Sequence, residues 1–223
     1  MTTADIIVIG AGIAGVSAAA ELAAGHDVVL LEMEAQPGYH ASGRSAAYFA
    51  TSYGHEVVQA ITASCESFLR TPADGFSEVP LLHPRDCIWF GRPDQAESMA
   101  TAQGANPRLE FIDAVAVRER VPVFSPEYLH GGLWDRKGGD LDVDALLQGY
   151  LRLFRRRGGR LLGNHEAIEI GQSGKRWVVR TADEAFCAPV VVNAAGGWAD
   201  RLAQRAGLEP LGIQPLRRSA LTI

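Results

Sequence analysis

The sequence predicts an α/β fold organised around a parallel sheet, on three observations. A short β-branched run, Ile6 to Ile9, leads into Gly10-Ala-Gly-Ile-Ala-Gly15 and then an alanine-rich stretch from Val16 to Ala24. A second apolar run, Asp27-Val-Val-Leu-Leu31, closes on Glu32. Far along the chain, Val190-Val-Val-Asn-Ala-Ala-Gly196 reads as a buried strand entering a glycine turn, a return to the first sheet. Continuous apolar runs of this length suit strands covered on both faces, and strand, helix, strand in this order makes a right-handed parallel crossover.

The elements between follow from their own patterns. The stretch from Gln36 to Ser45 is too polar for core and reads as a functional loop that opens a short helix at Ser45 to Ala47. Val57, Val58, Ile61, Cys65, Phe68 and Leu69 recur at helical spacing, and Thr71-Pro72 ends that helix. Val79 to Leu82 and Cys87 to Gly91 read as paired strands separated by His83-Pro-Arg-Asp86. Asp113 to Arg120 reads as a short helix closed by Val121-Pro122, and Leu129 to Trp134 as a strand. Asp142 suits the N-cap of a helix carrying Leu146, Leu147, Tyr150, Leu151 and Phe154, which Gly158-Gly159 stops. Leu161-Leu162, Glu166 to Ile170, Trp177 to Arg180 and Ala185 to Cys187 read as short strands, with a helix from about Ala199 to Ala206.

Composition narrows the classes of function. The 223 residues are 47% hydrophobic and 21% charged, which excludes a disordered or collagen-like chain. A net charge of −5 with no basic block argues against a nucleic-acid partner. Cys65, Cys87 and Cys187 stand far apart, so neither a disulfide framework nor a CxxC knuckle is expected; reduced thiols in a cytoplasmic setting are. The histidines are scattered without metal-ligand spacing and no metal is expected; His40, inside the polar loop, is the one to watch. No secretion signal is legible, and no run approaches the roughly 20 apolar residues of a transmembrane helix.

The chemistry concentrates at the N-terminus. Gly10 permits a tight strand-to-helix turn, Gly12 lets the backbone approach a pyrophosphate, and Gly15 lets the helix pack closely on the sheet. The helix start offers N–H groups and about half a positive charge to phosphates. Glu32, 17 residues beyond Gly15, ends the second strand where a carboxylate can accept both ribose hydroxyls. A dinucleotide site is therefore expected, and an acid at this point disfavours a 2′-phosphate. The second small-residue loop, Gly38 to Ala47, fits an extended cofactor and favours FAD over NAD. An NAD-linked dehydrogenase and a non-catalytic nucleotide-binding remnant remain the alternative readings.

Five segments together carry a resemblance. They are IIVIGAGIAGVSAAAEL near the N-terminus, VVLLE at 28–32, GYHASGRSAA at 38–47, GGDLDVDALLQGYL at 138–151 and VVNAAGGWAD at 191–200. The chain resembles the FAD-dependent D-amino-acid oxidase and dehydrogenase family, most nearly its D-arginine dehydrogenases, from the N-terminus to Ile223. The resemblance implies a Rossmann-like FAD-binding sheet with part of a mixed, β-rich substrate domain. Residues 1–78 and 138–210 would be the FAD-binding segments, and 79–137 and 211–223 the partial substrate-domain segments. It implies FAD held non-covalently by Gly10, Gly12, Ala14, Gly15, Glu32, Met33, Ala167 and Gly196. The loop residues Ala41, Ser42, Gly43, Arg44, Ser45, Ala46, Ala47 and Tyr48 would join them. Tyr48 and Tyr53 would be catalytic, and Tyr53, Cys87 and Arg218 would meet the substrate. The implied reaction moves a hydride from the substrate Cα to flavin N5, and the imino acid then hydrolyses to a keto acid and ammonia. The implied partners are a small amino acid and an electron acceptor, oxygen or a quinone, with peripheral membrane association left open.

Two positions depart from the D-arginine enzymes: Tyr48 replaces a histidine, and Cys87 replaces a glutamate suited to a cationic side chain. Loss of that anion implies a shift towards neutral or apolar D-amino acids. Family members also run on for over a hundred further residues, so a truncated member is expected.

Overall fold

A computed structural model describes residues 1–217. The chain opens with β1 (Thr2–Thr3), β2 (Ile6–Ile9), α1 (Ile13–Leu22) and β3 (Val28–Leu31). Next come β4 (Tyr48–Phe49), α2 (Glu56–Arg70), β5 (Leu82–Pro84), β6 (Cys87–Gly91) and α3 (Ala96–Ala105). They are followed by β7 (Leu109–Asp113), α4 (Ala114–Arg120), β8 (Gly131–Asp135) and β9 (Gly139–Leu141). The last stretch holds α5 (Val143–Arg156), β10 (Arg160–Leu162), β11 (Glu169–Ser173) and β12 (Arg176–Arg180). It ends with β13 (Ala185–Ala188), β14 (Val190–Asn193) and α6 (Ala199–Arg205). Two compact units result. One comprises Met1–Ala46, Asp74–Glu78 and the chain from Val143 on; the other comprises Ala47–Ala73 and Val79–Asp142.

In the first unit, β10, β3, β2 and β14 lie side by side in that order, every pair parallel. Alternation of side chains along β2 and β3 explains why both runs are continuously apolar. Ile6, Val8, Val28 and Leu30 pack under α1 and α5, against Val16, Leu147, Leu151 and Phe154. Ile7, Ile9, Val29 and Leu31 face the other way, against Ile170, Val179 and Phe186 of a second sheet and Leu202 of α6. That second sheet runs β1-β13-β12-β11. In the second unit, two antiparallel sheets form, β4-β9-β5 and β6-β8-β7. Met99 of α3 packs on Leu109 and Leu133, and Val117 of α4 on Ile112 and Leu129.

The α/β class and the β2–α1–β3 crossover match the reading of the sequence; several local expectations do not, among them the strand expected at Val79 to Leu82, which runs over Leu82–Pro84. Ser45 to Ala47 is not helical. The helical turn is a single 3₁₀ turn at Ser42–Arg44, closed by the Arg44 N–H on the Ala41 carbonyl at 3.4 Å, while the Gly43 N–H reaches back to the Gly38 carbonyl at 2.7 Å, and Ala47 then turns left-handed at φ 56°. The strands near residues 82 and 88 do not pair with each other: β5 pairs with β9 and β6 with β8, partners some 50 residues away that no local pattern reveals. Glu166 to Ile168 precedes β11 rather than belonging to it. β14 lies at one end of the described sheet order, so Val190 is 46% exposed where a buried strand was expected. Helix α3 carried no apolar stripe and was not anticipated.

Among the described residues, no helix is long and apolar enough to cross a membrane.

Candidate functional site

The carboxyl ends of four parallel strands open onto one crevice of the first unit. Gly10, Gly12 and Ala14 follow β2, Glu32 and Met33 follow β3, His165 to Ala167 follow β10, and Ala194 to Trp198 follow β14; all line it. Open α/β sheets place ligands at this end of their strands. The cavity measures about 460 Å³, within the roughly 300–1,000 Å³ of small-molecule and cofactor pockets.

Backbone shape makes the crevice. Gly10 adopts φ +101°, and a Cβ there would stand 2.5 Å from the Ala194 carbonyl oxygen. A Cβ on Gly15 would lie 1.8 Å from the Gly10 oxygen, so α1 can rest on the turn only as glycine. Helix α1 starts at Gly12 without a side-chain cap of its own and with no acid in its first turn, which leaves its positive end towards the crevice.

Two of the amides at this turn are already bonded within the protein. The Ala11 N–H donates to Glu32 Oε2 at 2.6 Å, and the Ile13 N–H donates to Ser42 Oγ at 2.9 Å. The loop thus brings a hydroxyl to the helix start, and that hydroxyl keeps a proton it can donate to an anion. Gly12 and Ala14, which line the crevice, sit at helix positions that have no intrahelical acceptor. Glu32 is 7% exposed, and its Oε1 also accepts the Glu34 N–H at 2.9 Å. An ionised carboxylate has about four acceptor sites, so two stay available for hydroxyl donors.

Residues outside the glycine fingerprint complete the wall. His40 Nε2 lies 2.8 Å from Glu34 Oε1, and its ring leans on Trp198 at 4.6 Å. Arg205 donates to Glu166 Oε1 at 2.9 Å and to the Ala167 carbonyl, pinning the segment before β11. Trp198 lines the crevice, as do His165, Arg201 and Arg205.

The expected site residues divide. Gly10, Gly12, Ala14, Glu32, Met33, Ala41, Ser42, Ala167 and Gly196 line the crevice, while Gly15 lies beneath it. Gly43, Arg44, Ser45, Ala46, Ala47 and Tyr48 stand off the lining. Arg44 instead lies over the Tyr39 ring, 5.0 Å from its centroid. Tyr48, Tyr53 and Cys87 belong to the second unit. Tyr48 donates to the Arg85 carbonyl at 3.4 Å; burial first, then the Asp135 carboxylate, push its phenol well above the ordinary range. It is therefore a proton donor and not a base at neutral pH. Arg218 lies outside the described residues.

Cys87 stands directly across the strand pair from Asp135, and burial and then that charge raise its thiol. The thiolate is the reactive form, so Cys87 should alkylate slowly at pH 8 and accelerate at a higher pH than an ordinary thiol. Exposed Cys65 should label first. Site-resolved iodoacetamide labelling across pH checks this; Cys87 reacting as fast as Cys65 at pH 8 would contradict it.

Comparison with known proteins agrees with this geometry. The model of the DAO family, described as FAD dependent oxidoreductase, matches residues 5–223. The chain is 29% identical over 218 residues to gamma-glutamylputrescine oxidoreductase of Escherichia coli, covering 88% of this chain and 50% of that protein. It is 28% identical over 216 residues to monomeric sarcosine oxidase of Streptomyces avermitilis, covering 92% and 55%. The chain thus spans about half the length of the curated relatives it matches. Among solved structures, glycine oxidase from Geobacillus kaustophilus superposes with a TM-score of 0.80 at 20% identity, covering 94% of this chain and 60% of that one. L-α-glycerophosphate oxidase from Mycoplasma pneumoniae, with FAD bound, gives 0.78 at 18% identity, covering 93% and 58%.

Proposed function

The chain belongs to the DAO family of FAD-dependent oxidoreductases, and from that premise we propose that its crevice holds the adenosine diphosphate part of FAD in the service of amino-acid oxidation. The observation that carries this reading is the meeting of the positive end of α1 and the Glu32 carboxylate in one crevice. The residues fit the group: Gly10 and Gly12 leave open a cradle that side chains would fill. In this reading the Gly12 and Ala14 amides and the Ser42 hydroxyl hold the diphosphate, and Glu32 accepts the ribose hydroxyls. Met33 joins Glu32 at the ribose, Ala167 borders the adenine, and Ala41 and Gly196 complete the wall, without a covalent link. FAD, when bound, supplies the hydride acceptor for the substrate Cα. The chain's own residues bind and orient: Tyr53 and Arg218 meet the substrate, and Tyr48, kept protonated, donates a hydrogen bond.

The preferred substrates in this reading are D-amino acids with neutral or apolar side chains. The motifs nearest those of the D-arginine dehydrogenases support the D configuration, and Cys87 supports the neutral side chain. Asp135 does not restore the missing anion, because it is 1% exposed and already accepts the Ser52 hydroxyl and the Lys137 N–H. The catalytic efficiency for D-leucine or D-phenylalanine should exceed that for D-arginine by about tenfold or more, the scale of one lost charge-assisted contact. Bleaching of flavin absorbance on anaerobic addition of each amino acid tests it; a strong D-arginine preference would refute it.

A further inference from the structure

The segment that carries Tyr53 is held by side chains from one antiparallel sheet of the second unit, at three consecutive residues. Arg108, immediately before β7, donates to the Thr51 hydroxyl. Asp135, at the end of β8, accepts the Ser52 hydroxyl on Oδ2 and the Lys137 N–H on Oδ1, the latter at 3.0 Å. Trp89 of β6 stacks on the Tyr53 ring, with centroids 5.7 Å apart and planes inclined by 17°. Strand register makes this a single surface: Cys87 pairs with Asp135 and Trp89 with Leu133, so Trp89 and Asp135 project from the same face.

The energetics single out one member. Trp89 is 39% exposed and Tyr53 49%, so their stack alone is a weak restraint. Asp135, at 1% exposure, is a carboxylate taken out of water, a cost that falls only when its oxygens are hydrogen-bonded. Its two partners are the residue before Tyr53 and the turn after β8. Of its hydrogen bonds, the one from Ser52 ties this buried carboxylate to the segment that carries Tyr53.

We infer that Asp135 is a positioning residue that sets Tyr53 in its substrate-facing place by holding Ser52. This rests on the reading of Tyr53 as a residue that meets substrate. Asp135 touches neither substrate nor cofactor in this scheme; it acts through the backbone between Ser52 and Tyr53.

The test uses protein labelled with 3-fluorotyrosine, with the Tyr53 signal assigned by Tyr53→Phe. Ser52→Ala, which leaves Asp135 its Lys137 partner, should collapse the ring-current shift that Trp89 imposes on Tyr53. Ser52→Thr should restore it, and Asp135→Ala, which removes the acceptor, should resemble Ser52→Ala. In turnover, Ser52→Ala should raise KM for the amino acid by roughly tenfold with kcat changed far less, the pattern of lost substrate positioning. A Tyr53 signal unmoved in Ser52→Ala would overturn the inference, and so would a collapsed signal with unchanged KM. If no amino acid is turned over by the unaltered protein, the proposed activity fails, while the fluorine signal still decides whether Asp135 positions Tyr53.

Discussion

Gly15→Ala is expected to lower the melting temperature by about 10 °C, from an overpacking cost of about 3 kcal/mol. The new methyl would lie 1.8 Å from the Gly10 carbonyl oxygen and 3.2 Å from Ala194 Cβ. The first of these is backbone, so relief requires α1 to move away from the turn after β2, and the crevice opens with it. Gly25→Ala is the control, because a Cβ there meets nothing within 4 Å. That substitution should leave stability unchanged or raise it by about 0.5 kcal/mol, through lost freedom in the unfolded chain. Equal melting of Gly15→Ala and the unaltered protein would show that the helix does not rest on this turn.

Glu32→Ala should weaken ADP and FAD binding by about 100-fold, since two charge-assisted bonds to ribose hydroxyls at about 1.5 kcal/mol each are lost. It should also destabilise the free protein, because the Ala11 and Glu34 amides lose their acceptor. A ligand pair separates the two effects. The unaltered protein should bind ADP more tightly than 2′-deoxy-ADP by about tenfold, and Glu32→Ala should bind the two alike. Discrimination that survives in Glu32→Ala would show that Glu32 does not meet the ribose.

What the sequence made legible is what neighbours in the chain determine. The β2–α1–β3 unit could be read because the apolar runs, the glycine spacing and the terminal acid lie within 27 residues, each with its own local reason. Helix α2 could be read from its apolar spacing, and α4 from the Val121-Pro122 that closes it, although Asp113 caps the helix rather than belonging to it. The far wall of the crevice could not. Trp198, His165, Arg201 and Arg205 reach it only because β14 and β10 flank β2 and β3 in the sheet, and strand order is not written in any local pattern. The same holds for β5 and β6, whose partners are distant. Ser42 was anticipated at the site but not as the acceptor for the Ile13 amide, since that contact depends on how the 3₁₀ turn closes.

The most direct measurement of the central claim is calorimetric titration of the protein, freed of bound nucleotide, with ADP and with FAD. The account predicts that each saturates at one equivalent, that ADP displaces FAD, and that Gly12→Val abolishes both. Failure of either ligand to bind the unaltered protein, or undiminished binding to Gly12→Val, would contradict it.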